Sequence, residues 1–323
     1  MTNTTRRNIL AGATALLAAP AIAQGQAWPN RPVRLISPFA PGGPQDIPAR
    51  FMVEFLTPRL GQPVIYEHRA GAGGSLGAQY VAQATDNHSF LITSSSIATL
   101  PAMRRDPGLD PLTDLQPVTL VTDAPLLISG RPNGPADLAA YLARAKANPG
   151  KVNYGSSGFG SSNHLIPELL NGRLGLTLVH VPFRGGAPAL QALLAGQVQV
   201  MMENIPTKVQ AIRAGQIRAL AVTGRERDPS LPDVPTFAEA GIPDIVVEPW
   251  FGFMAPRGTP DAVVAGLSRL LNEALADAEV RRKFADLGVR PEGGPPERFA
   301  AHVRSEIARW REVVEVNKIE KLN

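Results

Sequence analysis

The chain has 323 residues, 44% of them hydrophobic and 19% charged, which excludes general disorder and supports about two domains with sizeable cores. The formal net charge of +4 comes from 32 basic and 28 acidic side chains, and composition gives no support for the clustered basic face that nucleic acid requires. There is no cysteine, so disulfides, thiol catalysis and cysteine metal sites are excluded.

The first 23 residues read as an export signal. Arg6 and Arg7 form a positive start, Ile9 to Ala19 is a run of apolar and small residues, and Ala21-Ile22-Ala23 is a small-x-small cleavage site. The expected mature chain begins near Gln24. The run is too short to span a membrane as a helix; a retained N-terminal anchor is the competing reading. Thr5-Arg6-Arg7-Asn8-Ile9-Leu10 also fits a twin-arginine signal. Removing the segment takes two arginines and no acids, leaving 30 basic and 28 acidic side chains. No later stretch is long and apolar enough for a membrane helix, so a soluble periplasmic product is expected.

Short β-branched runs then alternate with helical patterns. Val33 to Ile36, Val64 to Tyr66 and Phe90 to Thr93 read as strands. Helical stretches fall near residues 45–60, where Phe51, Phe55 and Met52, Leu56 repeat at i+4, and near 75–84. A second set follows. Pro135 to Ala147 is helical, Val152 to Tyr154 a strand, and Ser161 or Ser162 can cap a helix carrying Leu165, Leu169 and Leu170. Leu178 to Val181 is a strand, Pro188 to Ala195 a helix ended by Gly196, and Val198 to Met202 and Ala219 to Val222 are strands. After a Pro-rich stretch, Leu231 to Pro243, Phe251 to Met254 is a short strand. Thr259-Pro260 opens a helix with Val264, Leu267 and Leu271. Phe299, Val303, Ile307, Trp310 and Val314 form one apolar stripe on the last helix. This alternation implies α/β architecture, with parallel sheets covered by helices.

Two loops carry the strongest chemical signal. Ser37 to Asp46 (SPFAPGGPQD) lies between the first strand and its helix. Its adjacent glycines let backbone N–H groups approach a ligand, and the following helix start adds free N–H groups and a positive dipole end. Tyr154 to His164 (YGSSGFGSSNH) repeats that arrangement in the other half and adds serine hydroxyls. Each loop alone also reads as a tight strand-to-helix turn. Their recurrence favours a site for a carboxylate or phosphate. Neither contains the G-K-[ST] of a nucleotide loop.

Other motifs are weaker. Arg69 to Gly77 (RAGAGGSLG) departs from the dinucleotide spacing G-x-G-x-x-G and lacks the acidic residue for a ribose. Its Gly73-Gly74-Ser75-Leu76-Gly77 satisfies the esterase pattern G-x-S-x-G, but Glu67 to Ala72 separates the strand from Ser75. The five histidines show no zinc spacing. His164 reads as a hydrogen-bond partner of the Ser-rich loop. Met201 and Met202 read as packing, whereas Glu203 and Asn204 end a strand, where either a ligand-facing or a structural role fits. No catalytic constellation, cofactor site or metal site emerges.

The order of these motifs resembles the Bug family, the extracytoplasmic solute-binding proteins of tripartite tricarboxylate transporters. The likeness rests on Trp28 to Arg34 (WPNRPVR), Pro38 to Asp46, Gly71 to Ala78, Gly155 to Ser157 through Leu165, Val181 to Gly186 (VPFRGG), Ala221-Val222-Thr223, Pro232 to Thr236 and Glu239-Ala240-Gly241, and it covers nearly the whole mature chain. It implies a class II periplasmic binding fold: two α/β domains around a ligand cleft, joined by two crossover strands near Thr119 to Ile128 and Val246 to Met254. The implied domains are 24–122 plus 253–323, and 123–252. The two loops would act as pincers on a carboxylate. The implied ligand-binding residues are Phe39, Ala40, Gly42, Gly43, Gln45 and Asp46 from the first loop, Ser94 and Ser95 at a strand end, and Ser156, Ser157, Gly158, Ser161 and His164 from the second loop. Arg184, Gly185, Glu203 and Asn204 complete the set. Asp86 to Phe90 (DNHSF) departs from a family pattern closer to Asp-Gly-Tyr-Thr, and Gln199 stands where the family often has Asp, which bears on the ligand's distal end.

The resemblance implies a monomeric binding protein, not an enzyme, that needs no cofactor. Its partners would be a small carboxylate and the membrane permease subunits of a tripartite tricarboxylate-type transporter, with no nucleic acid. A sensory protein delivering its ligand-closed shape to a receptor would need the same fold. An exported hydrolase using Ser75 would need that serine exposed and beside a histidine.

Overall fold

The computed structural model describes residues 28–321, apart from 44, 124, 244, 287 and 288. The expected export signal and its cleavage site lie outside the described residues.

Four strands open the chain: β1 (Val33–Ser37), β2 (Val64–His68), β3 (Ser89–Ser94) and β4 (Leu115–Asp123). Five more build a second sheet: β5 (Leu126–Gly130), β6 (Val152–Ser156), β7 (Leu178–Pro182), β8 (Val200–Asn204) and β9 (Arg218–Val222). The chain then returns to the first sheet with β10 (Trp250–Pro256) and β11 (Arg290–Pro291). The strand orders are β11-β4-β10-β3-β1-β2 and β7-β6-β8-β5-β9. The chain therefore passes between the sheets twice, once between Asp123 and Leu126 and once ahead of Trp250.

Both sheets are mixed rather than purely parallel. β1 lies parallel to β2 and β3, and β6 lies parallel to β7 and β8. The strands adjoining each passage run the other way: β10 is antiparallel to β3 and β4, and β5 to β8 and β9. A strand entering a sheet from the other domain has no crossover helix to bring it round in parallel, so it enters reversed.

Among the described residues ten α-helices cover the sheets: α1 (Asp46–Leu60), α2 (Ser75–Ala82), α3 (Ser96–Met103), α4 (Leu138–Ala147), α5 (Ser162–Leu174), α6 (Gly186–Ala195), α7 (Val209–Arg213), α8 (Asp261–Ala276), α9 (Ala278–Ala285) and α10 (Pro296–Val316). Some starts differ from the sequence reading. α4 begins at Leu138, because the Asp137 carboxylate accepts the Ala140 N–H at 2.8 Å. α6 begins at Gly186, ahead of its proline.

One core backs both sheets. The stripe Phe299, Val303, Ile307, Trp310 and Val314 on α10 is buried in a cluster with Ile97 and Leu100 of α3 and Leu165 and Leu169 of α5. α10 thus closes the first domain and packs against helices of both. A second cluster, including Leu35, Phe90, Phe253, Leu267 and Leu271, fills the opposite face of the first sheet beneath α1 and α8. Among the described residues no helix is long and apolar enough to cross a membrane.

Candidate functional site

In open α/β sheets, ligands bind beyond the carboxyl ends of parallel strands. Here β1, β3, β6, β7 and β8 all end toward the space between the domains. A small cavity of about 20 Å3 lies there. The first domain lines it with Phe39, Gln45, Ser94, Ser95, Ser96, Pro249 and Phe251, and the second with Ser157, Ser162, Asn163, Gly186, Glu203 and Asn204.

Four helix N-termini meet at this cavity. Gln45 precedes α1, Ser95 precedes α3, Ser162 and Asn163 open α5, and Gly186 opens α6. None of the four receives a hydrogen bond from its N-cap side chain. Away from the cavity, α4 and α9 are capped by Asp137 and Asp277, whereas α2, α7, α8 and α10 also lack a side-chain cap. Uncapped first turns present N–H groups and the positive ends of helix dipoles. Among the described residues, no lysine, arginine or histidine lines the cavity, and Glu203 is its one ionisable side chain.

A chain of hydrogen bonds orients the polar wall. Ser157 Oγ donates to Asn163 Oδ1 at 2.8 Å, and Asn163 Nδ2 donates to Glu203 Oε2 at 2.8 Å. The Asn204 N–H donates to Glu203 Oε1 at 2.9 Å. Burial raises the Glu203 carboxyl, and these donors and the Lys208 charge oppose the rise. Burial likewise lowers the Lys208 ammonium, which donates to Ser129 Oγ at 2.8 Å and to the Leu127 carbonyl at 3.0 Å. Asn204 Nδ2 is buried without a partner.

The second pincer loop touches the start of α3 across the cleft. Thr99 Oγ1 donates to the Gly160 carbonyl, and Ser95 Oγ donates to Ser162 Oγ at 3.2 Å. A Cβ at Gly42, where φ is +84°, would lie 3.2 Å from Ala187 Cβ, and one at Gly185 3.6 Å from the Ala40 nitrogen. Ala40, Gly42 and Gly185 therefore sit where the domains meet.

Several residues expected to bind ligand instead hold the loops in shape. Asp46 Oδ2 accepts the Gly42 N–H at 2.5 Å and its Oδ1 accepts the Tyr66 hydroxyl at 2.6 Å. That N–H is already engaged, and neither Asp46 nor Gly43 lines the cavity. Ser156 Oγ lies 2.5 Å from His180 Nε2 and accepts the Gly158 N–H at 3.1 Å. Ser161 Oγ donates to the Gly158 carbonyl at 2.6 Å. His164 Nδ1 accepts the Gly160 N–H at 3.1 Å, and its ring stacks on His180 at 4.0 Å. Both rings border a separate cavity beside the last residues of the chain. Arg184 is exposed and, with Gly158, borders an adjoining cavity that shares Phe39 and Ser157.

Sequence reasoning placed Ser96 and Gly186 at strand ends facing the cleft but did not name Ser162, Asn163, Pro249 and Phe251 as lining residues. Asn163 and Gly186 stood inside motifs already singled out. Pro249 and Phe251 arrive from the returning strand, about 200 residues from the first loop, and nothing local marks them. Ser75 is 1% exposed over its whole residue, with its Oγ donating to the Ala72 carbonyl at 3.1 Å, so it is not the exposed nucleophile a hydrolase needs. Among the described residues no group of three or more His, Asp or Glu could hold a metal ion.

Comparison with known proteins agrees with this geometry. Residues 49–319 match the family model described as tripartite tricarboxylate transporter family receptor. The chain is 40% identical to Protein BugT of Bordetella pertussis over 306 residues, covering 94% of this chain and 93% of BugT. The structure of the periplasmic binding protein BugD superposes with a TM-score of 0.87 at 36% identity, covering 91% of this chain and 100% of BugD. R. palustris Rpa4515 with adipate superposes with a TM-score of 0.88 at 36% identity, again covering 91% and 100%. Two α/β domains, two passages between them and a cleft closed by helix N-termini make this the class II periplasmic binding-protein fold, and the chain belongs to the tripartite tricarboxylate transporter receptor family, whose members are solute-binding proteins rather than enzymes.

Proposed function

We propose that this protein is exported to the periplasm with cleavage after Ala23, captures a small organic carboxylate between domains 24–122 plus 253–323 and 123–252, and delivers it as a monomer to the membrane permease of a tripartite tricarboxylate-type transporter. The observation that carries the reading is the convergence of four uncapped helix N-termini on a cavity without a cationic side chain. Such a site stabilises an anion through fixed N–H dipoles and hydroxyls. It avoids burying a guanidinium that needs a second partner. The adipate of Rpa4515, a protein of the same fold and 36% identity, supports a carboxylate over other anions.

Phe39, Gln45, Ser94, Ser95, Ser157, Glu203 and Asn204 are the proposed contacts from the original set. Ser96, Ser162, Asn163, Gly186 and Phe251 join them. Ala40, Gly42, Gly43, Asp46, Ser156, Gly158, Ser161, His164 and Gly185 shape the pincers.

A thermal-shift screen against mono- and dicarboxylates tests the reading. An acid at about 100 times its Kd adds about 2.7 kcal/mol to the folded state, which raises the melting temperature by several degrees. A flat response to the whole panel contradicts carboxylate capture.

A further inference from the structure

Glu203 is an unusual wall for a site that takes anions. Both contacts recorded for its carboxyl oxygens are donors to it: Asn163 Nδ2 at 2.8 Å and the Asn204 N–H at 2.9 Å. A protonated carboxyl would need an acceptor for its own proton, whereas this arrangement fits an ionised group, which only accepts. Each oxygen keeps a second lone-pair direction. The next side chain supplies the complement. Asn204 is 5% exposed, lines the same cavity, and its Nδ2 has no partner. A buried amide without a partner is destabilising, and a ligand group that accepts its proton removes the penalty.

Resting on the carboxylate reading above, we infer that Glu203 and Asn204 determine specificity at the ligand's distal end, selecting a neutral group that both donates and accepts a hydrogen bond, a hydroxyl or a carboxamide. The ligand's carboxylate lies at the N-termini of α1 and α3 in the first domain, because Glu203 itself sits at those of α5 and α6, bonded to Asn163 and beside Gly186. Its far end donates to Glu203 and accepts from Asn204. A second ionised carboxylate of the same reach offers Glu203 only acceptors and a like charge. A methyl group leaves the Asn204 amide unpaired and the remaining lone pairs of Glu203 unmet.

The experiment is calorimetry at pH 7.5 with three matched series. These are succinate, succinamate, 4-hydroxybutyrate and butyrate; the corresponding adipate series; and terephthalate, terephthalamate, 4-(hydroxymethyl)benzoate and 4-methylbenzoate. Within a series that binds, the hydroxyl or carboxamide member is expected to bind at least tenfold tighter than the dicarboxylate and the methyl analogue. Glu203→Gln places a donor where only acceptors stood. It is expected to raise affinity for the dicarboxylate at least tenfold, a gain that a misfolded variant cannot produce. Where the variant does not fold, the wild-type ranking decides. A wild-type protein that binds the dicarboxylate as tightly as its neutral analogues, or a folded Glu203→Gln variant with an unchanged ranking, overturns the inference and leaves the carboxylate reading standing. Absence of binding by all twelve acids overturns both.

Discussion

The Ser156 hydroxyl, held by His180 and the Gly158 N–H, shows how a residue can belong to a binding loop without meeting the ligand. Ser156→Ala is expected to cost about 1 kcal/mol of stability and to change ligand affinity less than threefold, as urea denaturation and calorimetry together would show. Asn163→Ala removes the donor to Glu203 and the acceptor for Ser157, so affinity should fall tenfold or more. The stacked histidines make a separate claim. Burial lowers His164 to about 4 and, with the His164 charge adding to it, lowers His180 to about 3. His164 Nδ1 accepts a backbone N–H, which requires that nitrogen to be unprotonated. Above about pH 6.5 both folded and unfolded chains hold these rings neutral. As pH falls from about 6.5 toward 4, the unfolded chain takes up protons that the native rings refuse, so stability drops. For His164 alone the loss by pH 4.5 is on the order of 2–3 kcal/mol. Urea denaturation at pH 7 and 4.5 should show a smaller difference for His164→Gln than for wild type; equal differences would contradict this assignment. The sequence marked the His164 loop but could not show that its histidine turns inward onto His180. The partner is 16 positions away, on β7.

Helix starts carry the site, and glycines decide how closely they approach. A Cβ at Gly73, where φ is +67°, would lie 2.2 Å from the Phe159 carbonyl oxygen of the opposite domain. Gly73→Ala should therefore keep most of its stability, losing about 1–2 kcal/mol to the left-handed backbone, yet bind ligand at least tenfold more weakly because the loops cannot meet. Calorimetry beside a melting curve separates the two effects. Gly186→Ala places a Cβ 2.4 Å from Glu203 Oε2 and should disturb the acid wall directly. Most of these helices were legible from their caps and periodicity. α3 was not. Every residue from Ser96 to Leu100 is buried, so no polar face alternates with an apolar one, and Pro101 interrupts the pattern. Its serines read as a strand end, although they also open the helix that faces the cavity. The sheets' reversed strands were equally hidden, because direction is set by where the chain enters and not by local composition.

α10 packs in one core with helices of both domains, while the cavity is lined from both sides and the chain passes between the sheets twice. Closure about the two passages is the expected response to ligand. Small-angle scattering should give a smaller radius of gyration with ligand than without, and an unchanged radius at saturation would contradict closure. The length suggested two domains, and the plan with two passages between them came from the family resemblance, not from local patterning. The returning strand that supplies Phe251 was legible as a strand, but not as part of the cavity. Arg184, which the resemblance placed among the ligand-binding residues, is exposed at the adjoining cavity, so its replacement by alanine should leave affinity nearly unchanged. The claim beneath all of this is that neutral donors at helix N-termini hold an ionised carboxylate. Calorimetry of the tightest acid from the screen, against the methyl ester of the carboxylate it presents to those helices, tests it most directly. Losing two charge-assisted hydrogen bonds removes about 3–6 kcal/mol, so the ester is predicted to bind at least 100-fold more weakly; an ester that binds as tightly as the acid would contradict the account.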